Sequence, residues 1–357
     1  MKKKSKGVKF TSGTTSRLIA DTLEARGVRV VYDRVTRNKG GVLVPRRIAK
    51  FNISGVDFVI RGPQIYFASG DKVVSGIDGV AIRLFKQKDV VKSLLRARGF
   101  PVPEGHTFSS DQMALARIYF REVAKTFPGG VCIKPVDGNM GRDVFVGVKE
   151  LDDFEPAFDH VGALHGRVMV EEAVAGDVYR FTVVDGEVLA VRFGRPQNVK
   201  GDGVSKIAEL VGEKVKARKS HPVYKTHPFP FGDEQVEFLR KQGFSEQSVP
   251  EDGRIVYLGS RSNSHAGADV IECMDQMHPS YVEMVSAAVS SMPDIVVCGA
   301  DLMIQDRFLP ASDKNCSFIE LNTGPGFAAS SKPWEGAERD VAGPLVDYLF
   351  RIAEEKA

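Results

Sequence analysis

The hydrophobic and polar positions of this chain switch between helical and strand spacing, which predicts a mixed α+β / α/β protein. Apolar side chains recur every three to four residues over 16–26 and 85–100, and further helices are expected over 111–125, 152–160 and 278–292. Runs of β-branched and aromatic residues predict the strands between them. These strands are expected at 28–32, 58–60, 65–67, 167–172, 179–184, 187–192, 295–304 and 317–322.

Local signals set the ends and faces of the first two helices. Ser16 is the expected N-cap of the first helix, and Gly27 follows its last turn. The second helix is expected to end at Gly99 before two prolines. The residues expected on its buried face are Val90, Val91, Leu94 and Leu95.

The pattern over 131–148 predicts a β-hairpin with a glycine-bearing tip. Two apolar runs flank the polar turn 137–143, and Lys134 lies at the end of the first run. Glycines let backbone N–H groups approach an anion, and the Lys134 ammonium could reach the same anion. The hairpin is thus a candidate lid over a polyphosphate. The alternatives are an ordinary turn and a solvated edge lysine.

Two more groups of polar residues have open interpretations. Lys88 and Lys92 share one helix face, which is either a solvated basic stripe or a means for Lys88 to reach a phosphate. Glu171 and Glu172 end a strand before an apolar turn, where they could bind a purine edge or simply close a surface strand.

Acidic residues inside apolar strands predict a metal site. Asp301 interrupts one strand, while Glu320 and Asn322 lie two apart on the next and share a face. Burying such carboxylates costs several kcal/mol unless they are paired or bind a metal. Three converging oxygen donors suit Mg²⁺. A structural salt bridge to a buried arginine is the alternative.

Composition narrows the class of protein. The chain has 357 residues, 43% hydrophobic and 27% charged, enough for two or three compact units. A net charge of only +3 argues against nucleic acid as a partner, and no apolar run is long enough to cross a membrane. The four cysteines show no metal spacing, so we expect buried, reduced thiols and a cytoplasmic protein.

Ordered motifs over residues 76–340 resemble the ATP-grasp carboxylate–amine ligases. Within that family the chain is most similar to the ATP-grasp modules of cyanophycin synthetase and bifunctional glutathione synthetase, and more distantly to D-alanine–D-alanine ligase. The motifs that carry the resemblance are Lys88–Lys92 with Leu94-Leu95, Gly99–Pro103, Lys134–Arg142, Glu171 with Gly176 and Tyr179-Arg180, Gly201–Gly203, Gly299–Asp301 and Ile319–Gly326.

The resemblance implies a fold in which two α+β subdomains sandwich ATP, after a short N-terminal α/β unit. We accordingly expect an N-terminal unit at 1–84, a central subdomain with the phosphate lid at 85–168, and a C-terminal subdomain with the metal site at 169–357. The last includes an insertion at 201–253, which is basic, loop-like apart from a short helix near 234–242, and either a solvated insertion or a funnel for an anionic substrate.

The resemblance also implies roles for individual residues. Lys88 and Lys134 would contact the phosphates, and Asp301, Glu320 and Asn322 would bind Mg²⁺, with Mn²⁺ as an alternative. Arg180, Arg192 and Arg261 are candidates for binding the carboxylate and the transferred phosphate. The remaining nucleotide contacts are expected from the lid residues Asp137, Gly138, Asn139, Met140 and Gly141 and from Glu171, Glu172, Val174 and Asp177.

The implied reaction is ligation of a carboxylate, from an amino acid or small peptide, to an amine through an acylphosphate. An ATP-grasp kinase and a non-catalytic nucleotide-binding protein are the alternatives, and a homodimer is the family-level expectation. Two departures stand out. Val178 occupies the position where the family usually has an acidic ribose ligand, and the segment 262–267 is shorter than in cyanophycin synthetase.

Overall fold

The structure is a computed structural model that describes residues 14–39, 42–61, 64–69, 72–74, 81–138 and 141–356. The chain divides into two compact units, each assembled from segments that are distant in sequence. Unit 1 comprises Met1–Ile77, Leu189–Asp275 and Pro325–Ala357, and unit 2 comprises Asp78–Val188 and Gln276–Gly324. The division into three consecutive segments stays a prediction.

Helices and strands are mixed along the chain, as the sequence pattern predicts. The strands are β1 (Val31–Lys39), β2 (Val42–Ile53), β3 (Val56–Arg61), β4 (Gln64–Ser69), β5 (Lys72–Val74), β6 (Gly105–Ser109), β7 (Val131–Pro135), β8 (Phe145–Val148), β9 (Arg167–Glu172), β10 (Asp177–Val184), β11 (Glu187–Arg195), β12 (Asn198–Lys200), β13 (Ile255–Tyr257), β14 (Asp269–Glu272), β15 (Val297–Ile304) and β16 (Cys316–Thr323). The helices are α1 (Thr15–Ala25), α2 (Ala81–Leu84), α3 (Lys88–Ala97), α4 (Met113–Val123), α5 (Leu151–His165), α6 (Ile207–Ser220), α7 (Asp233–Lys241), α8 (Ser280–Ser290), α9 (Ala328–Ser331) and α10 (Gly343–Lys356).

Unit 1 begins with α1 and an antiparallel meander of strands β1 to β5. The N-cap of α1 is Thr14, whose side chain accepts from the backbone N of Arg17, so the assignment of Ser16 as the cap is wrong. The first strand begins at Val31 rather than at Val28. The reason is that the backbone N of Val28 bonds back to the carbonyl of Leu23 to close the helix. Farther along, β11 pairs with β14, and β12 with β13.

Helix α6 corrects the expectation of a loop-like region over 201–253. Ile207, Leu210 and Val211 are spaced at i, i+3 and i+4, and they pack in a core with Val199 of β12 and Val256 of β13. Most other positions of this 14-residue helix are polar or charged. A short apolar stripe among many lysines is a weak helical signal. Packing of this stripe against β12 and β13 stabilises the helix.

Unit 2 contains a four-stranded antiparallel sheet in the order β6-β9-β7-β8. Helices α4 and α5 cover one face, where Phe120, Phe154 and Phe158 are buried with Ile133 and Val170. Strands β7 and β8 form the predicted hairpin. Because side chains alternate along a strand, the residues that follow Ile133 and Val170 point to the opposite face. That face carries the charged residues of the candidate site.

A second group of strands in unit 2 places β15 between β10 and β16, all antiparallel. The register sets Arg180 opposite Asp301, and Asp301 opposite Glu320. Directly opposed residues share a sheet face, so the three charged side chains form a row across the strands. A register shift follows Asp301 in the β15–β16 pair.

Helix α3 lies on unit 2 with a different face inward from the one predicted. Val91 and Leu95 are buried as expected, but Val90 is 37% exposed and Lys92 only 5%. The inward face therefore includes a charged residue, which the apolar pattern could not show. All four cysteines are buried and unbridged, as expected.

Candidate functional site

Three charged side chains meet in the interior of unit 2, on the sheet face opposite α4 and α5. Glu171 of β9 binds Lys134 of β7 through Oε1, at 2.5 Å from Nζ. The other carboxylate oxygen, Oε2, accepts from Lys92 of α3. We call these three residues the Glu171 cluster. It contains two ammonium groups and one carboxylate, all buried.

Burial and pairing act in opposite directions on the pKa values of the Glu171 cluster. Burial alone raises the pKa of Glu171, but the two neighbouring ammonium groups outweigh it, and the pKa lies below its ordinary value. Burial lowers the pKa of Lys92 to about 8, although Glu171 opposes this. The carboxylate is thus ionised, and the cluster carries excess positive charge while Lys92 is protonated.

Gly105 allows the close packing of β6 on the strand that carries Glu171. A Cβ built on Gly105 would lie 2.5 Å from Cβ of Glu171 and 2.7 Å from the carbonyl oxygen of Val170. Strand β6 pairs Gly105 with Glu171, so any other residue there would push the strands apart. Sequence reasoning did not single out Gly105, because its role depends on the strand pairing.

Lys88 links the start of α3 to the turn 137–143, which we call the lid loop, and to β16. Its Nζ donates to the carbonyl oxygen of Gly138 at 2.6 Å and lies 3.5 Å from Oε2 of Glu320. Lys88 and Lys92 are one helical turn apart, so a single helix contacts two carboxylates on two different strands. The interpretation of this pair as a solvated stripe is wrong for Lys92, which is buried.

The three predicted metal ligands converge. The amide of Asn322 donates to Oε1 of Glu320 at 2.8 Å and lies 3.4 Å from Oδ2 of Asp301. Asp301 also binds Arg180, which donates through Nε to Oδ1 at 2.5 Å and through Nη2 to Oδ2. Arg180 Nη2 is 3.9 Å from Glu320. Both the metal interpretation and the arginine salt bridge therefore have support in the geometry.

The donor set fits a hard cation in its chemistry. Burial raises the pKa of Asp301 despite its pairing with Arg180. Burial acts the same way on Glu320, but the bond from Asn322 and the charges of Lys88 and Arg180 outweigh it and lower the pKa. Within the described ranges, no group of three or more His, Cys, Asp or Glu could hold a metal. A metal at this row would therefore need an oxygen from Asn322 or from the substrate.

The lid loop is described only at its two ends, since Asn139 and Met140 lie outside the described residues. A Cβ built on Gly138 would lie 2.3 Å from Cγ of Pro135, and Gly141 has a φ of 66°, so both positions favour glycine. Asp137 lines a cleft of ≈ 280 Å³ with Arg83, Lys86 and Arg167 among others.

The far end of the lid loop is attached to α5. Asp143 lies 3.1 Å from Nε2 of His160 and 2.9 Å from Nε2 of His165. The loop thus has Lys88 at one end and this histidine pair at the other. Sequence reasoning did not identify either histidine, because they lie far from the loop in the chain.

The predicted adenine and ribose residues lie at the end of β9 and in the segment that leads to β10. The backbone N of Glu172 donates to the carbonyl of Glu104 at 2.8 Å, so the strand end is held in place. Val174 is half-buried, and Asp177 is exposed at the start of β10. Burial and the neighbouring carboxylates raise the pKa of Glu172. The Glu171 side chain is engaged by the two lysines.

Two of the three predicted catalytic arginines belong to unit 1. Arg192 lies on β11, where its Nη2 is 3.5 Å from the carbonyl oxygen of Gly326. Arg261 is exposed and pairs with Glu234 at 3.2 Å. Arg180 belongs to unit 2, with the metal candidates. The roles of all three arginines stay predictions.

Comparison with known proteins finds similar proteins, although no family model matches this chain. The glutathione biosynthesis bifunctional protein GshAB of Clostridium perfringens (strain 13 / Type A) is 32% identical over 271 residues, which cover 75% of this chain and 34% of that protein. Cyanophycin synthetase of Nostoc sp. (strain PCC 7120 / SAG 25.82 / UTEX 2576) is 30% identical over 282 residues, covering 77% of this chain and 30% of its own length.

A solved structure agrees. The crystal structure of a bifunctional glutathione synthetase from Pasteurella multocida aligns with a TM-score of 0.64 and 25% identity, over 95% of this chain and 45% of that one. The resemblance to the ATP-grasp ligases and the predicted α+β ATP-grasp fold are therefore confirmed. The chain spans 34% and 30% of the lengths of the two curated relatives above. No helix in the described ranges has the length and apolarity to cross a membrane.

Proposed function

We propose that this chain is an ATP-dependent ligase that joins a carboxylate to an amine and releases ADP and phosphate. The observation that supports this best is the arrangement of cations in unit 2. Lys88 contacts the lid loop, and Lys134 lies in a buried cluster with excess positive charge. Paired cations near a glycine-bearing loop suit a polyphosphate.

The charged row of unit 2 suits the transfer step. We propose that the substrate carboxylate attacks the γ-phosphorus and that ADP leaves, forming an acylphosphate. The amine then attacks the acyl carbon and phosphate departs, so that one amide bond forms for each ATP consumed. Lys88 and Arg180 would bind the phosphate oxygens, since both cations are already placed at the carboxylates of the row.

Asp301, Glu320 and Asn322 would hold Mg²⁺ or Mn²⁺ in this proposal. When bound, the metal would offset the charge of the nucleotide phosphates. Arg180 hydrogen-bonds to both carboxylate oxygens of Asp301 in this structure. We infer that the guanidinium moves toward phosphate when ATP and the metal bind. Val174 and the C-terminal end of β9 would bind the adenine.

The substrates are proposed to be amino acids or small peptides, because the two curated relatives are named for glutathione biosynthesis and cyanophycin synthesis. Arg192 and Arg261 would bind substrate carboxylates. The cytoplasmic location and a homodimer stay predictions.

A phosphate-release screen of amino acids, offered singly and in pairs with ATP and Mg²⁺, tests the proposal. We expect release that requires both an acid and an amine, with an amide product in the mass spectrum. A stable phosphorylated product formed without amine would instead show a kinase. Absence of phosphate release across the panel, with ATP bound, would point to a non-catalytic nucleotide-binding protein.

A further inference from the structure

The Glu171 cluster has one more positive charge than negative charge. Glu171 has one bond to Lys134 and one to Lys92, and all three side chains are less than a tenth exposed. An uncompensated charge in a buried site is costly, because water no longer solvates it. The cluster therefore favours an incoming anion, and under the proposed function this anion is an ATP phosphate.

A phosphate bound at this cluster would change the partners of Lys134. Its ammonium bonds to Oε1 of Glu171 at 2.5 Å, and a phosphate would compete with the carboxylate for it. If Lys134 were the sole partner of Glu171, its movement would leave a buried carboxylate without a counter-ion. Breaking a buried pair in this way is strongly unfavourable.

Lys92 removes this obstacle. It binds the second oxygen of Glu171 from α3, a different element from the strand that carries Lys134. We propose that Lys92 is a positioning residue that retains Glu171 while the Lys134 ammonium turns to an ATP phosphate. This inference rests on the proposed function, and it assigns a role to a lysine that contacts no substrate.

The position of Lys92 in the helix supports this role. Lys88, one turn earlier, binds the lid loop through the carbonyl of Gly138. The same helix therefore fixes both the loop and the partner of Glu171. Lys92 is also buried, on the same inward helix face as Val91 and Leu95. Glu171 consequently keeps a cation from α3 when Lys134 moves.

A double-mutant cycle separates this role from a merely structural one. We would measure the Kd for ATP with Mg²⁺ by isothermal titration calorimetry, and the free energy of unfolding in urea. Lys92→Met should weaken ATP binding by about tenfold, because Lys134 becomes the only partner of Glu171. Lys92→Met combined with Glu171→Gln should recover binding to within about threefold of wild type, because nothing then competes for Lys134.

Lys125→Met is the matched control, since Lys125 is an exposed lysine of the same unit after α4. It should bind ATP as wild type does. A wild-type Kd in folded Lys92→Met, or a double variant no better than the single one, would overturn the inference. A purely structural Lys92 would lower the free energy of unfolding without a selective change in Kd.

If Lys92→Met does not fold, the inference is tested with Lys92→Arg and with the Lys92→Met/Glu171→Gln double variant. Both avoid an unbalanced Glu171, and both should bind ATP within about threefold of wild type. Loss of binding in either folded variant contradicts the proposed role. Failure of wild type and Lys125→Met to bind ATP would overturn the proposed function together with this inference, whereas normal binding and turnover by folded Lys92→Met would overturn the inference alone.

Discussion

Two buried clusters in this protein contain the same charges and differ in how firmly they are held. The Glu171 cluster of unit 2 sets one carboxylate between two lysines. In unit 1, Asp269 of β14 lies between Lys214 and Arg218 of α6, with Nη1 of Arg218 at 2.9 Å from Oδ1. We call these three residues the Asp269 cluster. Asp269 is 0% exposed and Arg218 only 2%.

The Asp269 cluster has additional contacts that fix its cations. The guanidinium of Arg218 stacks over the rings of Tyr224 and Phe229, at 4.8 and 5.0 Å from their centroids. Asn198 donates to Asp269 at 3.0 Å, and Lys214 donates to the carbonyl of Asn198 at 2.9 Å. These contacts fix the arginine plane in one orientation.

The described bonds of Lys92 and Lys134 go to Glu171, on flexible side chains that can rotate. Burial raises the pKa of Asp269 despite its two cations, whereas the two ammonium groups lower that of Glu171, so the firmness of the Asp269 cluster comes from its additional contacts and not from stronger ion pairing. We infer that the Asp269 cluster stabilises unit 1 and that the Glu171 cluster can exchange a partner. Equal charge counts thus do not imply equal roles.

The largest expected effect is on turnover. Lys134→Ala should lower ATP turnover by about a thousandfold, because the phosphates lose a desolvated cation, while Lys92 still balances Glu171. Phosphate release measures the effect, and thermal unfolding reports the fold. Lys125→Ala is the control. Full activity of folded Lys134→Ala would contradict the inference that the Glu171 cluster, unlike the Asp269 cluster, exchanges a partner during function.

Mutation of the Asp269 cluster should lower the stability of the protein and leave ATP binding nearly unchanged. Asp269→Asn leaves two buried cations without a carboxylate, which should lower the free energy of unfolding by about 3–5 kcal/mol. Urea unfolding measures this, with exposed Asp252→Asn as the control. ATP affinity of the folded variant should stay within about threefold of wild type. An unchanged free energy of unfolding would contradict the inference that the Asp269 cluster stabilises unit 1.

A moderate effect is expected at the charged row. Glu320→Gln should raise the Mg²⁺ concentration for half-maximal activity by about tenfold, because a charged oxygen ligand becomes neutral. A Mg²⁺ titration of phosphate release checks this, and Glu338→Gln, on the exposed surface of unit 1, serves as the control. An unchanged Mg²⁺ titration would indicate that Asp301 and Glu320 form a structural salt bridge with Arg180 and bind no metal.

The smallest effect concerns pH. Burial lowers the pKa of Lys92 from 10.5 to about 8, so the folded protein binds fewer protons than the unfolded chain between these values. The contribution of Lys92 to stability should therefore rise over this range, while ATP affinity falls a few-fold as its charge is lost. Calorimetry at about pH 7 and 9 checks the affinity, and Lys92→Arg, which keeps its charge, should abolish the change. A pH-independent Kd in wild type would contradict the role of the Lys92 charge.

The sequence by itself determined the strands that carry the candidate site and the resemblance to the ATP-grasp ligases. Helical and strand spacing placed β7, β9, β15 and β16 within a few residues, because alternation and β-branched runs are local properties. The ordered motifs from Lys88 to Glu320 identified the ATP-grasp ligases, as the relatives confirm. Asp301 and Glu320 could be expected to meet, since two adjacent apolar strands each carried one acidic residue.

Only the tertiary structure decided which charges are paired. Lys92 and Glu171 are 79 residues apart, and Arg180 and Asp301 are 121 apart. Their pairing depends on strand order and on the rotation of α3, which sequence spacing does not encode. The apolar pattern placed Val90 inside and left Lys92 in solvent, whereas a buried carboxylate reversed the two. The physical reason is that Glu171 requires a counter-ion in its buried position, and this requirement outweighs the burial of one valine.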